Sequence, residues 1–533
     1  MFSGVCNPLP VCSSTVVRVE VMAALLVDHP SQSLVAFVLS GLRRGFSIGF
    51  VGPVTPGREA PNHSAVIRRS LVTAAVIREL RAGFLAGPFV RPPFPEFHCS
   101  PVGAADKPDG SARLLLDLSS PRGDSINEGI DAEVFAVQYS SFDDAVVVLR
   151  RLGRGAYMAK FDLKNAFRLC PVRRADWPLL CFLWESSYFV HVALPFGSRS
   201  SPSIFNRFAQ VLWWLLSAVG SVGNLIHYLD DFFFASANVG VARHDFAAAL
   251  ALCAHLGVPL SPEKCLPPAR RMVFLGILLD AERMVASLPP EKFAALSVLL
   301  ADWVARSSCS KRELLSLIGS LSFACKVVPA GRLFLRRLID FSMTLPGLSA
   351  VAVLPAEARL DVQWWVDFLP TWDGSSVFPA PPVDSIQLQL YTDASDVGMG
   401  GFFGRWWFST PLSSFFAERP IHVRELVAVA TALFLWGDHL RDRQVVLFSD
   451  SSAVVAVWQK GSTRDPLCMR IIREVFFFLA GRNIRLCMQH VSGLLNCKAD
   501  ALSRLQVLRF RHLHPCADDG PTPVPPHLWA SYV

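Results

Sequence analysis

Two adjacent aspartates, Asp230 and Asp231, stand in the run L-I-H-Y-L-D-D-F-F-F, with Leu225, Ile226 and Leu229 before them and Phe232, Phe233 and Phe234 after. Like charges in an apolar setting repel each other and lose hydration, and a divalent cation is the simplest compensation. A hairpin turn is the other reading, since Asp is a common turn residue, although the favoured two-residue turns are Asn-Gly and Asp-Gly. A third acid, Asp162, ends a strand-like stretch in A-K-F-D-L-K-N-A-F-R. A helix-containing segment separates it from Asp230, a layout that can bring three carboxylates to neighbouring strand ends of one sheet. Three carboxylates holding a pair of Mg2+ ions would suit in-line attack on a nucleotide α-phosphate: one metal lowers the pKa of the attacking hydroxyl and the other stabilises the leaving pyrophosphate. Mg2+ prefers hard oxygen ligands and keeps substrate phosphates in its shell.

A second set of acids lies further along: Asp393 in Y-T-D-A-S-D-V-G-M-G-G, Glu425 in H-V-R-E-L, Asp450 in F-S-D-S-S and Asp500 in K-A-D-A-L-S-R. Asp393 and Asp450 each follow a strand pattern. Glu425 falls early in a helical stretch, where the helix dipole alone would favour it. Four carboxylates again suit a metal pair, here activating water to cut a phosphodiester. Asp396 reads as structural. His512, His514 and Cys516 lie close together and offer metal-ligand types, but a loose tail is the simpler account of them.

The elements that must position these groups follow from periodicity and punctuation. Strands are expected over 113–118, 157–163, 225–229, 232–235 and 274–279, and helices over 203–219 and 241–256, the latter stopped by Gly257 and Pro259. Leu314, Leu317, Ile318 and Leu321 repeat at helical spacing, and Arg332, Arg336 and Arg337 follow on a helix that could meet phosphates. Beyond a Pro, Gly and Ser-rich linker at about 370–385, an α/β alternation begins: strand 386–393, a glycine-rich turn and strand, helix 423–438, strand 444–449, helix 465–480 and strand 483–490.

The chain of 533 residues is long enough for about two to four domains, and its 52% hydrophobic content supplies their cores. A net charge of +7 is compatible with nucleic-acid binding. The 13 cysteines show no CxxC pairing and read as reduced intracellular thiols rather than a disulfide framework. The apolar stretch 12–36 is broken by Arg18, Glu20, Asp28, His29 and Pro30, unlike a signal peptide. The uncharged stretch 208–226 has transmembrane length, but polar motifs abut both ends, so it reads as a buried helix running into a strand.

In order, the chain carries K-P-D-G-S-A-R-L-L-L-D-L-S-S-P, F-D-L-K-N-A-F, L-P-F-G-S-R-S-S-P-S-I-F, Y-L-D-D, S-P-E-K-C and V-F-L-G-I. This series resembles the fingers and palm of reverse transcriptases. The later acids resemble the Asp-Glu-Asp-Asp set of the ribonuclease H domain that retroelement polymerases carry. The resemblance covers roughly residues 75–505. It implies an α+β fold, with reverse-transcriptase palm, fingers and thumb followed by an α/β ribonuclease H-like domain. It implies Asp162, Asp230 and Asp231 as the polymerase carboxylates and Asp393, Glu425, Asp450 and Asp500 as those of the nuclease, each set binding two Mg2+ ions, with Mn2+ as a substitute. Lys107 and Arg113 match the residues that clasp the triphosphate, and Phe167 the aromatic that crowds a ribose 2′-hydroxyl. Phe196 and Gly197 match the template and nucleotide loop, Lys264 a basic residue near the leaving phosphate, His490 a substrate-binding loop, and 274–276 the primer-grip strand. The implied partners are an RNA template, a DNA or RNA primer, dNTPs and an RNA–DNA hybrid, in an intracellular compartment and with no membrane.

R-A-G-F-L-A-G-P-F, L-L-S-L-I-G-S-L-S-F, H-V-R-E-L and A-D-A-L-S-R are similar to DIRS-type retrotransposons, with long-terminal-repeat elements as relatives. Ser451 and Ser492 depart from that pattern, which usually has Asn and Pro there. The expected organisation is an unassigned region over 1–74, fingers and palm over 75–288, a helical thumb or connection over 289–369, the linker over 370–385, the ribonuclease H-like domain over 386–506 and a disordered tail over 507–533. A second reading, a catalytically silent nucleic-acid-binding relic of such an element, predicts erosion of the acids; all seven are intact.

Overall fold

A computed structural model describes residues 7–11, 14–57, 60–107, 109–372, 375–377, 389–461, 463, 465–482 and 484–532. The chain divides into two compact units, Met1–Met272 and Val273–Val533.

The first unit is built on an antiparallel four-stranded sheet in the order Ile226–Tyr228, Asp231–Ser236, Tyr157–Asp162, Leu266–Ala269. Phe232, Phe233 and Phe234 are all fully buried, which explains a continuous apolar run in place of strict alternation. Phe232 stacks on Phe161 of the neighbouring strand at a centroid distance of 5.0 Å. The helices Ser201–Ala218 and Val239–Leu256 cover this sheet, and the uncharged stretch over 208–226 is the buried helix and strand expected of it. No helix among the described residues is long and apolar enough to cross a membrane. Leu85–Phe89, Ser187–His191 and Cys181–Trp184 form a second sheet, and Val102–Asp106 pairs with Ala112–Leu116 in a hairpin.

The N-terminal region, for which no role was legible, belongs to this unit. Helix Gln32–Arg44 is capped by Ser31 and buries Val35, Val38, Leu39 and Leu42 in the common core. Phe46 exchanges backbone hydrogen bonds with Pro171 and Arg173. The apolar i, i+3, i+4, i+7 spacing of that helix is the signal for its docking.

Arg168 is buried and links several pieces of this unit. It pairs with Glu79 and donates to the carbonyls of Ala193 and Leu194 at 3.3 and 3.1 Å. Removing one member of a buried pair strands the other, at a cost of about 3–5 kcal/mol. Arg168→Met is therefore expected to lower the denaturant midpoint by a corresponding amount, with Glu79→Gln, Arg168→Met together closer to the wild type.

The second unit holds the helices Pro290–Ala305, Lys311–Ala324, Arg336–Thr344 and Ala356–Phe368, followed by a five-stranded sheet. Leu314, Leu317 and Leu321 are buried, as their spacing predicts. Arg336 pairs with Asp340, and Arg337 is engaged by the buried Asp361 and the carbonyl of Glu357, so Arg337 is committed internally and not presented to phosphates. Arg473 also donates to Asp361, at 2.8 Å.

Three expectations are corrected. The strand expected over 274–279 is interrupted: Arg271–Phe274 and Ile277–Asp280 flank a turn in which Leu275 and Gly276 have positive φ. The linker expected over 370–385 lies largely outside the described residues, but Ser375–Val377 pairs with Val285–Ser287 as a strand. The tail is not structureless: Val507–Leu513 is a helix whose Phe510 is fully buried against Phe402 and Trp407, and Trp529 donates to Thr431. Its composition misled because a few aromatic anchors, not mean polarity, decide docking.

Candidate active sites

The sheet register assembles the first site. Asp162 and Asp231 are direct cross-strand partners, and Tyr228 pairs with Asp231 across a turn made of Leu229 and Asp230. The Asp pair therefore lies at a hairpin turn, and the same turn sets Asp231 opposite Asp162. Leu229 adopts φ 53°, a left-handed conformation costing a leucine roughly 1–2 kcal/mol. Like charges placed directly opposite each other oppose strand pairing, so this register needs compensating charge.

Part of that charge comes from two lysines. Lys264 donates to Asp162 Oδ2 at 2.9 Å, Ser261 donates to Asp162 Oδ1 at 3.0 Å, and Lys160 lies 3.8 Å from Asp231 Oδ2. Asp231 Oδ1 is buried with no hydrogen-bond partner. Burial, reinforced by Asp162, raises the pKa of Asp230. Burial pushes Asp231 up to about 6 against the pull of Lys160. An oxygen-only donor set with an orphaned buried carboxylate oxygen fits a hard divalent cation. Ser261 and Lys160 were not foreseen; Lys160 was legible in principle, because residues two apart on a strand share a face.

Of the residues matched to nucleotide binding, Lys264 and Arg113 lie near enough to act on Asp230, and Phe196 and Phe167 pack in series on Arg113. The Arg113 guanidinium lies 4.6 Å from the Phe196 ring centroid, and Phe167 packs on Phe196 at 5.0 Å. Asp230 feels the charges of both Lys264 and Arg113. Gly197 has φ +111°, and a Cβ there would collide with the Leu116 carbonyl oxygen, so only glycine lets this loop lie on the hairpin. Asn127 donates to the Gly197 carbonyl at 2.9 Å. Lys107 is half-buried at the turn of the same hairpin, its pKa lowered by burial and by Arg78.

The second site sits at the ends of the parallel strands Gln389–Ala394, Gln444–Ser449 and Arg485–His490. Tyr391 pairs with Phe448, so Asp393 and Asp450, each two residues on, emerge side by side. Glu425, on helix Ile421–Trp436, completes a group whose ligand atoms all lie within 4.8 Å of one another. Asp500 is outside that group: Arg504 donates to it at 2.6 Å and Arg509 at 3.2 Å. Ser503, on the same helix as Asp500, donates to Asp393 Oδ2. That helix approaches because the neighbouring strand is bare; a Cβ on Gly400 would collide with Leu502.

Burial is the main force on these carboxyls. Asp393 is pushed up to about 7, with Asp450 and Asp500 adding to burial and Ser503 opposing it. Glu425 is pushed up to about 9 by burial and by Asp393, and its Oε2 has no partner. The fit to hard cations is the same as at the first site. His490 is exposed and pairs in register with Ser449, at the end of the sheet that carries Asp450. His514 is committed to the Gly404 carbonyl at 2.8 Å.

Residues 105–279 match a protein-family model described as reverse transcriptase (RNA-dependent DNA polymerase). The chain is 23% identical over 374 residues to polyprotein P3 of Commelina yellow mottle virus, covering 67% of this chain and 19% of that one. It is 20% identical over 427 residues to the transposon Tf2-3 polyprotein of Schizosaccharomyces pombe, covering 76% of this chain and 29% of that one. It thus spans less than a third of the length of these curated relatives. Among solved structures it resembles the foamy viral protease-reverse transcriptase in complex with dsDNA, at a TM-score of 0.50 and 18% identity over 90% of this chain and 99% of that chain. A second foamy viral protease-reverse transcriptase structure, dRH with dsDNA, gives a TM-score of 0.52 at 16% identity over 91% and 84%. The chain therefore has the fold of a reverse transcriptase followed by a C-terminal domain, and residues 105–279 carry the sequence of a reverse transcriptase domain.

Proposed function

We propose that this chain is the RNA-directed DNA polymerase and ribonuclease H of a retrotransposon. The observation that carries the reading is the direct pairing of Asp162 with Asp231, with Asp230 in the intervening turn and one Asp231 oxygen left unpartnered. Bound at these carboxylates, a pair of divalent cations, Mg2+ or Mn2+, would lower the pKa of a primer 3′-hydroxyl and neutralise the leaving pyrophosphate. The chain's own groups do the rest. Asp162, Asp230 and Asp231 supply the oxygen ligands, and Ser261 holds Asp162 in one orientation. Arg113 and Lys107 draw in the triphosphate, and Phe196 and Gly197 shape the floor of the nucleotide pocket. At the second site Asp393, Glu425 and Asp450 form the ligand set for hydrolysing the RNA strand of a hybrid. Asp500, held here by Arg504 and Arg509, would supply a further oxygen ligand on release from them, and His490 would border the path of the substrate.

The relatives' printed descriptions, a viral polyprotein and a transposon polyprotein, support a retroelement origin. Those of the two structural neighbours, both in complex with dsDNA, support a duplex nucleic-acid substrate. The assignment to DIRS-type elements rests on the sequence stretches named above. The test is extension of a primed RNA template with dNTPs and Mg2+ by the wild type and by Asp231→Asn. Equal inactivity of the two would point instead to a silent relic.

The Phe167 ring limits the space beside the nucleotide sugar. Forcing an extra polar atom against a packed ring costs about 1–3 kcal/mol, or about five- to 150-fold in rate. Phe167→Ala is therefore expected to raise rNTP incorporation relative to dNTP by that factor, read from single-nucleotide extension with each substrate.

A further inference from the structure

His422, Asp465 and Cys468 converge within the second unit, away from the roles assigned above. Their ligand atoms all lie within 4.8 Å of one another. His422 comes from the first turn of helix Ile421–Trp436, while Asp465 caps helix Pro466–Gly481 and Cys468 lies in its first turn. Asp465 Oδ1 accepts the backbone N–H groups of Leu467 and Cys468 at 2.8 and 3.0 Å. That fixes the carboxylate and aims Oδ2 at His422 Nε2, 3.5 Å away. A good hydrogen bond between these atoms would be about 2.9 Å. Two ligands of one tetrahedral zinc, each about 2.0–2.1 Å from the metal, stand roughly 3.3–3.4 Å apart. The observed gap lies close to that spacing and is longer than a good hydrogen bond.

We infer that His422, Asp465 and Cys468 form a zinc site, with water as the fourth ligand. The chemistry of the set selects the metal: a thiolate and an imidazole suit Zn2+, whereas Mg2+ takes only hard oxygens. Charge also balances, since one thiolate and one carboxylate neutralise Zn2+. Binding exchanges the Cys468 thiol proton for the metal, whose own charge must offset the burial and the Asp465 carboxylate that push this thiol up to about 12. Cys468 is buried and approaches from the protein side, while His422 and Asp465 are half-buried, which leaves the fourth position open to water. The site joins the N-termini of two helices, one of which presents Glu425 one turn after His422, so the metal clamps the helix that carries a nuclease carboxylate. Its role is positional and does not include the reacting atoms.

The test uses the full chain, stripped of metal and titrated with Zn2+ against a chromogenic chelator in excess Mg2+, with Co2+ as a spectroscopic probe. One tight Zn2+ per chain is expected, and a thiolate-to-cobalt charge-transfer band. His422→Ala and Asp465→Asn should each weaken Zn2+ binding at least about tenfold; Asn still caps the helix, so the second variant keeps the fold. Cys468→Ser should abolish the cobalt band, and Cys516→Ser and Glu425→Gln should leave it intact. Zn2+ affinity unchanged in both His422→Ala and Asp465→Asn, or a band that follows Cys516, would overturn the site. Neither readout depends on polymerase or nuclease activity, so the zinc site and the proposed function fail separately.

Discussion

Asp231→Asn is expected to reduce primer extension by at least about a thousandfold while leaving the chain folded. The substitution keeps the size of the side chain and removes the charge that an unpartnered, buried oxygen offers to a cation. Losing several kcal/mol of charge stabilisation in the transition state corresponds to that factor at about 1.4 kcal/mol per tenfold. The stability effect has the opposite sign. Burial raises Asp231 from 3.8 to about 6, so the native state binds more protons than the unfolded state between those values, and metal-free stability falls as pH rises through that window. Above about pH 6 the full cost, about 3 kcal/mol at about 1.36 kcal/mol for each pKa unit between 3.8 and about 6, is present in the wild type and absent in the variant. Thermal unfolding at pH 7.5 in chelator should therefore show Asp231→Asn at least as stable as the wild type, while added Mg2+ should stabilise the wild type more. An inactive variant that melts far below the wild type would mean that Asp231 serves the fold.

Glu425→Gln should abolish cleavage of the RNA strand of a hybrid, again by at least about a thousandfold, and leave primer extension in place. Glu425 is 4% exposed, has an unpartnered oxygen and is pushed up to about 9. Its raised pKa means that stability without a cation declines as pH rises from 4.5 towards about 9. A cation must displace the proton, so its affinity, and nuclease activity at limiting Mg2+, should rise with pH across the range from about 7, where Asp393 titrates, to about 9. The profile should flatten at saturating Mg2+, and the variant should gain roughly 1–3 kcal/mol in chelator at high pH from loss of an unpaired buried charge. A pH-independent nuclease at limiting Mg2+ would contradict this account of Glu425.

The strands that carry Asp162, Asp231 and Asp393, the strand that Asp450 follows, and the helix that carries Glu425 fall within a few residues of where periodicity places them. Those patterns are local: an apolar run ended by an acid reads the same before and after folding. The docked N-terminal helix was equally local in its Val35, Val38, Leu39, Leu42 spacing, but no chemical motif drew attention to it. The tail was misjudged for a different reason. Phe510 and Trp529 count for little in an average composition, yet each fills a specific aromatic-lined recess.

By itself the sequence determined which acids are present, in what order, and that Asp162, Asp393 and Asp450 close or follow strands while Glu425 falls early in a helix. Only the tertiary structure decided which carboxylate oxygens are free. Sheet register sets Asp162 opposite Asp231, Lys264 and Ser261 take both oxygens of Asp162, and Arg504 and Arg509 hold Asp500 apart from Asp393, Glu425 and Asp450. The same holds for His422, which meets Asp465 and Cys468 from a different helix. The physical reason is range: turn and strand preferences act over a few bonds, whereas the free energy of a buried charge depends on partners that only packing brings within a few ångströms.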